Sequence, residues 1–577
     1  MFKRPRRIES KESTSKQEVL KRLERIEQKL ERKVLYDDVF IGNIEAHDVL
    51  PLLKRDKHAI RIARRALKNI IEPFPNFETI EFNDDFNWDV TKQKYGQSYQ
   101  LYIQSLRVVS ALTLEYEHTK KRAYLEKAKT LVESWIEYAE GAPKSKMIWY
   151  DHPTGNRAQT LIHFLYHARE HFELDDRKYY NILKRHAEVM SNPEKYNYNN
   201  HGLMMDRALI IIGRVLKMDA FITTGLTRAR ETFWYSFSAK SLHLENSPSY
   251  HGMVVRIYDE LEEYLESIDE SLGETILKYL EQAKRYYSII ATPGGELPEI
   301  GDSSGGAVQK KVYENVFDYE LGLAVLQYEH PKPVYMTFIS GMSHRTHKHS
   351  DDLSITLSYG KDDILVDAGR FNYSKSPIRN YMTSQRAHST LFIEGKTYAR
   401  NKDNRFTREI DITSYFENDT YTIVKGKNEA FEAAGLYRTV IQLKQHPVVF
   451  LLDKANAQGE SVVQNFNLHH SVEIKNHSGE AVRLRLKSGH EVLLRQFNTS
   501  VNYEILEAST TKPIQAVNTL SFGKTVDTQQ IAFKSQVRDD YIFETMILLE
   551  PALDVTYRRQ GELLIVTVNG EDIYINV

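Results

Sequence analysis

The feature that most constrains this chain is a change of hydrophobic period beyond its midpoint, at Pro331-Lys332-Pro333. Before it, apolar residues recur at three and four spacing over residues 59–71, 99–116, 120–140, 157–173, 203–217 and 254–268, the period of amphipathic helices. After it come short runs rich in β-branched and aromatic residues, at 334–339, 353–359, 439–443, 448–452, 462–468, 482–486 and 563–568, with turn residues between them. Successive amphipathic helices with short connections favour a bundle, solenoid or toroid. The later runs favour an antiparallel β-sandwich. The chain therefore reads as multidomain α + β: a segment over residues 1–34, a helical domain over 35–330 and a sandwich over 331–577.

A chain of 577 residues is too long for one core, in keeping with that division. Within residues 16–33, Val19, Leu23, Ile26 and Leu30 form a short coiled-coil seam. Such a seam either docks on its own domain or joins two copies into a homo-oligomer. A net charge of -2 with no basic aromatic stripe argues against nucleic acid as a partner. No apolar span is long enough to cross a membrane, and the basic Met1-Phe2-Lys3-Arg4 start is followed by charge, not by an apolar run. The expected location is cytoplasmic, although a secreted protein lacking its leader would read the same way. With no cysteine, neither a disulfide framework nor a thiolate metal site is open to the chain, so any metal must take His and carboxylate ligands.

The densest set of such ligands is His344-Arg345-Thr346-His347-Lys348-His349-Ser350-Asp351-Asp352. On an extended strand His347 and His349 would share a face. The alternation Leu353, Ile355, Leu357, Tyr359 and the turn Gly360-Lys361-Asp362 predict a hairpin that returns Asp367 towards His349, and His388 precedes a further strand. Two imidazoles and a carboxylate could so converge on zinc; a solvated His-rich loop would show the same residues. Three polar breaks interrupt the helical block. Tyr198-Asn199-Asn200-His201-Gly202 sits at a helix start suited to capping or to an anion. Glu245-Asn246-Ser247-Pro248-Ser249-Tyr250-His251-Gly252 opens another helix. Asp151-His152-Pro153-Thr154-Gly155-Asn156-Arg157 sets Arg157 as a carboxylate clamp or a plain surface charge.

Taken together and in order, five segments resemble the heparinase II/III-like polysaccharide lyases over roughly residues 90–480: Asn200-His201, Ser247-Pro248-Ser249-Tyr250, Leu297-Pro298-Glu299-Ile300-Gly301-Asp302, His347-Lys348-His349 with Asp367-Ala368-Gly369, and Ala387-His388-Ser389-Thr390-Leu391. The resemblance implies an (α/α) toroid followed by a β-sandwich, and β-elimination on an acidic polysaccharide or oligosaccharide. It implies that Asn200 and His201 neutralise the uronate carboxylate or assist proton abstraction, that Tyr250 is the acid/base and that His347 is a second active-site imidazole. It also makes His349, Asp367 and His388 the ligands of a zinc that orders the cleft. Two positions depart from the family pattern: His388-Ser389, where His-Asn is frequent, and the acidic residue after Asn-His, here offset to Asp206.

The chemistry asks for these residue types on its own account. The C5 proton of a uronate is a poor acid until preorganised donors neutralise its carboxylate, and Asn200, His201 and Arg157 are candidates for that task. An ordinary Tyr titrates near about 10 and needs a neighbouring cation or metal to act as a base. Glu245 and Asp302 are candidate substrate contacts. They are also, with Asp206, the carboxylates that a glycoside hydrolase on a helical toroid would need. A metal-dependent hydrolase, suggested by His347-Lys348-His349-Ser350-Asp351, and a non-catalytic carbohydrate-binding protein are the other readings.

Overall fold

The computed structural model describes residue 21 and residues 40–400, 407–478, 480–498 and 501–577. The seam over residues 16–33, apart from Lys21, lies outside these described residues. The chain divides into two compact units, one of Met1–Thr91, Gln97–Lys195 and Ala208–Thr224, the other of Lys92–Gly96, Tyr196–Arg207 and Gly225–Val577.

Ten α-helices of the described residues precede the larger sheets, with one short antiparallel pair, Ile70–Ile71 and Ile80–Glu81, after the first of them. Of these, Lys57–Ala66, Gln97–Gln104, Arg107–Thr119, Ala123–Glu140, Asp151–Ala168 and Asp176–Ser191 belong to the first unit. The single helix expected over residues 99–116 is two, because buried Leu106 takes a left-handed conformation (φ 52°) between Gln97–Gln104 and Arg107–Thr119. Asp176–Ser191, unmarked in the sequence reading, is a regular amphipathic helix: Asp175 caps it by accepting from the Lys178 amide at 3.0 Å, and Tyr179, Ile182, Leu183, His186 and Met190 face inwards. The helices Pro248–Glu266 and Glu274–Ile290 belong to the second unit.

The strands begin before the proline pair, since Val316–Asp318 and Leu323–Tyr328 already pair in a five-stranded sheet with Val334–Ile339, Ser354–Tyr359 and Asp362–Leu365. Ile289 and Ile290 at the end of the last helix pack with Leu323, Val325 and Ile339 of that sheet, so helix and sheet share one core there. The change of period at Pro331 therefore marks a turn within a sheet, and the sandwich starts earlier than residue 331.

An eight-stranded antiparallel sheet forms the centre of the second unit. The rung Ile423, Ile441, Phe450, Met546 runs across four of its strands on one face, and the adjacent rung Val424, Val440, Leu451 lies on the other. Because side chains alternate across a strand, the continuous apolar run at residues 448–452 feeds two cores. One face packs with the five-stranded sheet and with a four-stranded sheet that contains Leu391–Ile393, Ser461–Asn467 and Gln529–Gln536. The opposite face is covered by a three-stranded sheet, through Val555, Leu564, Val566 and Ile575.

Candidate active site

The second unit gathers most of the residues singled out above. Pro248 at the first position of the helix Pro248–Glu266, where no amide hydrogen is needed, fixes the helix start and sets Tyr250 in its first turn. The Tyr250 ring stacks on the His347 imidazole with centroids 3.6 Å apart and planes at 23°. Its hydroxyl is hydrogen-bonded to that of Tyr373 at 2.6 Å. Behind His347, Glu245 brings Oε2 to 3.3 Å from Nδ1. Burial opposes ionisation of Glu245, but His347 and His243 outweigh it and hold the carboxyl at about 2.

His347 is not on a strand. It lies in a loop ahead of Ser354–Tyr359, in the left-handed conformation (φ 60°), so the expectation that it shares a strand face with His349 is corrected. The loop is fixed from two sides. Asn246 Nδ2 donates to the carbonyls of His344 and Thr346 at 2.8 and 3.0 Å, and the Asp302 amide donates to the His347 carbonyl at 3.1 Å. Gly301 (φ 54°) is required at the crossing, because a Cβ there would stand 2.5 Å from the Asn246 carbonyl oxygen and 2.6 Å from that of His347.

His349 turns to other partners. Its Nε2 donates to Asp302 Oδ1 at 2.9 Å, and Arg379 reaches the same oxygen at 2.6 Å. The contacts from His349 and Arg379 outweigh burial and draw the Asp302 carboxyl down to about 2. The hairpin does return Asp367 to this region: His388 Nδ1 donates to Asp367 Oδ1 at 2.8 Å, and the His349 and His388 rings lie 5.4 Å apart. Two asparagines of Ser461–Asn467 hold the converging segments, Asn465 donating to the His388 carbonyl and Asn467 to that of Val366, both at 2.8 Å.

Three buried atoms here have no hydrogen-bond partner among the described residues: His349 Nδ1, His388 Nε2 and Asp367 Oδ2. Two imidazole nitrogens and a carboxylate oxygen are the donor set a zinc ion takes, each ligand oriented by a hydrogen bond through its other atom. The donor chemistry fits, although as these side chains stand their ligand atoms are not gathered within 4.8 Å of one another.

The other predicted residues have partners of their own or differ from expectation. Asn199, not Asn200, caps the helix Asn200–Val215, accepting from the amides of His201 and Gly202 at 3.0 and 3.1 Å. Asn200 is buried, and among the described residues the polar contacts of Tyr250 and His347 run to Tyr373 and Glu245, not to the Asn200 side chain. Asp206 accepts from Tyr196 at 2.6 Å and from Arg228 at 2.8 Å, a structural anchor of its helix. Glu245 and Asp302, expected as substrate contacts, are buried and bound to His347 and to His349 and Arg379. Arg157 requires a correction. It is fully buried in the first unit, donating to the carbonyls of Gln104 and Ile148 at 2.6 and 2.7 Å and to His186 at 2.8 Å, with Trp135 against its guanidinium. It is neither a clamp on a ligand nor a surface charge.

Sequence reasoning missed Arg370, Tyr373 and Arg379. Arg370 lies 5.7 Å from the Tyr373 ring, and Arg379 donates to the Arg370 carbonyl at 2.6 Å. Burial disfavours the Arg370 cation, but the Tyr373 and Tyr250 hydroxyls outweigh it and raise its pKa. The available signal was the Arg-Phe-Asn-Tyr run straight after Asp367-Ala368-Gly369.

Residues 43–324 match the family model "Heparinase II/III N-terminus" and residues 319–545 match "Heparinase II/III-like, C-terminal". No curated protein sequence matches the chain significantly. Among solved structures, heparinase III is similar with a TM-score of 0.77 at 14% identity, covering 93% of this chain and 94% of that one. Heparan sulfate lyase HepC from Pedobacter heparinus gives 0.68 at 14% identity, with 93% of each chain covered. A chondroitin AC lyase from Streptomyces coelicolor A3, solved with chondroitin sulphate, gives 0.57 at 9% identity over 92% of this chain and 86% of that one. At such identities the structures establish a shared fold, a helical domain followed by antiparallel sheets, and the two adjoining family models establish descent: the chain belongs to the heparinase II/III-like family of polysaccharide lyases.

Proposed function

We propose that this protein cleaves a uronic-acid-containing polysaccharide or oligosaccharide by β-elimination, leaving an unsaturated uronate end. The observation that supports this most is the Tyr250 hydroxyl at the tip of a stack on His347, bonded to Tyr373 with Arg370 beside both. In this reading Tyr250 moves the C5 proton and returns it to the departing O4 oxygen. A tyrosine base needs a neighbouring cation, and Arg370 is that cation. Glu245 faces Nδ1 of His347, which leaves Nε2 as the nitrogen for the substrate. Asn200 and His201, at the start of a helix, are assigned to the uronate carboxylate. A hydrolase would need two carboxylates free to face one bond, whereas Glu245 and Asp302 are each committed to an imidazole.

His349, Asp367 and His388 are proposed to hold one zinc ion, whose positive charge would fix the three loops that carry them. Metal analysis should then find one equivalent less in His349→Ala than in wild type.

Tyr250→Phe deletes only a hydroxyl, so fold and binding should persist while turnover falls by about a hundredfold or more. Absorbance of the unsaturated product, followed on heparan sulfate, chondroitin, hyaluronan and alginate, measures this. Saturated ends carrying solvent oxygen, or full activity in Tyr250→Phe, would overturn the proposal.

A further inference from the structure

Within the first unit, the helix Asp151–Ala168 carries His163 and His167 one turn apart, and residues four apart on a helix share a face. Opposite them, Glu117 projects from Arg107–Thr119. Glu117 Oε1 lies 3.1 Å from His163 Nε2 and 2.7 Å from His167 Nε2. Among the described residues this is the group of three whose ligand atoms all lie within 4.8 Å of one another. We propose that Glu117, His163 and His167 form a binding site for a divalent transition metal, zinc above all, distinct from the trio at His349.

Two observations carry this beyond a carboxylate that accepts hydrogen bonds from histidines. First, the His163 side chain is 0% exposed, yet neither ring nitrogen makes a hydrogen bond among the described residues. Its Nε2 stands at hydrogen-bonding distance from Glu117 but not in hydrogen-bonding alignment, and burying an unpaired polar group is costly. A metal ion, which binds the imidazole lone pair, supplies a partner for Nε2. Second, the spacing is close to what an ion needs. Bonds of about 2.0–2.2 Å in a tetrahedral site place neighbouring ligand atoms about 3.3 Å apart, so the Glu117 oxygen, at 3.1 and 2.7 Å from the two nitrogens, has to withdraw by about half an ångström, and the two imidazole nitrogens lie within 4.8 Å of each other. Two imidazoles and one carboxylate suit zinc and its first-row neighbours, not calcium or magnesium, which prefer oxygen.

The site has an open side. Glu117 is 30% exposed and His167 14%, against 0% for His163, so solvent reaches the trio from the Glu117 and His167 side. Bound there, the ion ties Arg107–Thr119 to Asp151–Ala168, and because it binds only the folded pair its binding adds to their stability.

The test uses the full chain, stripped with a chelator, re-equilibrated with zinc chloride and dialysed. Metal per chain is then counted for wild type, Glu117→Gln, His167→Ala and His349→Ala. Each of the first two should hold one equivalent less than wild type, whatever His349→Ala does. Cobalt(II) should give visible d–d bands in His349→Ala that vanish when Glu117→Gln is added. Zinc should raise the thermal midpoint of wild type by several degrees more than that of Glu117→Gln, and circular dichroism of the stripped proteins confirms that the variants fold. Equal metal content in wild type and both variants, or no zinc in wild type, overturns the proposal. Loss of one equivalent only in His349→Ala overturns it too, while supporting the zinc at the other trio.

Discussion

Glu245 shows how one side chain organises the candidate site. It sits buried with its carboxyl held near 2, and its ordinary value is about 4.5. A carboxyl depressed by folding adds stability that is complete above the unfolded value and disappears as pH falls through the folded one. The stability gap between wild type and Glu245→Gln should therefore be full at pH 7, on the order of 3 kcal/mol, and should close from about pH 4.5 downwards. Urea denaturation of both proteins between pH 7 and pH 3 measures it, and parallel curves would remove Glu245 from the account. At the site itself, Glu245→Gln should also lower turnover more than affinity, because His347 loses its orienting partner while the Tyr250 stack remains.

Among the elements, the strands Ala434–Leu443 and Val448–Asn456 carry the joint that holds the His-bearing segments. Arg438 and Asp453 face each other in register, both fully buried, with Nε to Oδ1 at 2.8 Å and Nη2 to Oδ2 at 2.7 Å. The remaining donor of the guanidinium reaches the carbonyls of Leu353 and Ser389, each at 2.7 Å. Those two residues follow His349 and His388, so one side chain fixes the segments bearing both imidazoles. Removing one partner of a buried pair leaves the other uncompensated. Arg438→Met should cost about 3–5 kcal/mol in chemical denaturation, and Arg438→Met with Asp453→Leu should recover a large part of that loss. A double variant no better than the single one would show that the carbonyl contacts, not the charge pair, matter most.

For the whole molecule, the eight-stranded sheet is apolar on both faces, and the last three strands, Val555–Gln560, Leu563–Val568 and Glu571–Asn576, cover one of them. They lie beyond residue 545, where the family match ends. Deleting residues 555–577 should expose Tyr421, Ile423, Ile441, Phe450 and Leu548 as one patch, which a soluble protein rarely tolerates. The expected outcome is dye binding to the exposed surface and loss of soluble protein; a truncated chain that stays soluble with an unchanged thermal midpoint would refute that role.

The order of helices and then antiparallel strands was legible in the sequence because hydrophobic period is a local property, set by how 3.6-residue and two-residue repeats meet a core. So were the chemically distinctive members of the site: Tyr250 at a proline-marked helix start, and the His and Asp residues that a chain without cysteine must use for metal. Tertiary structure decided which of them meet. His347 and His349, two residues apart, serve different partners because His347 itself takes the left-handed conformation and turns the loop. Arg157, whose sequence position allows a ligand clamp, is closed over by Trp135 and by backbone carbonyls from two other segments. Arg370 and Tyr373 gain their place beside Tyr250 only when chain segments more than a hundred residues apart pack together. Glu117 meets His163 and His167 only across a helix pair. Local pattern fixes what each segment can become, but proximity between distant side chains is created by packing, and no spacing along the chain encodes it.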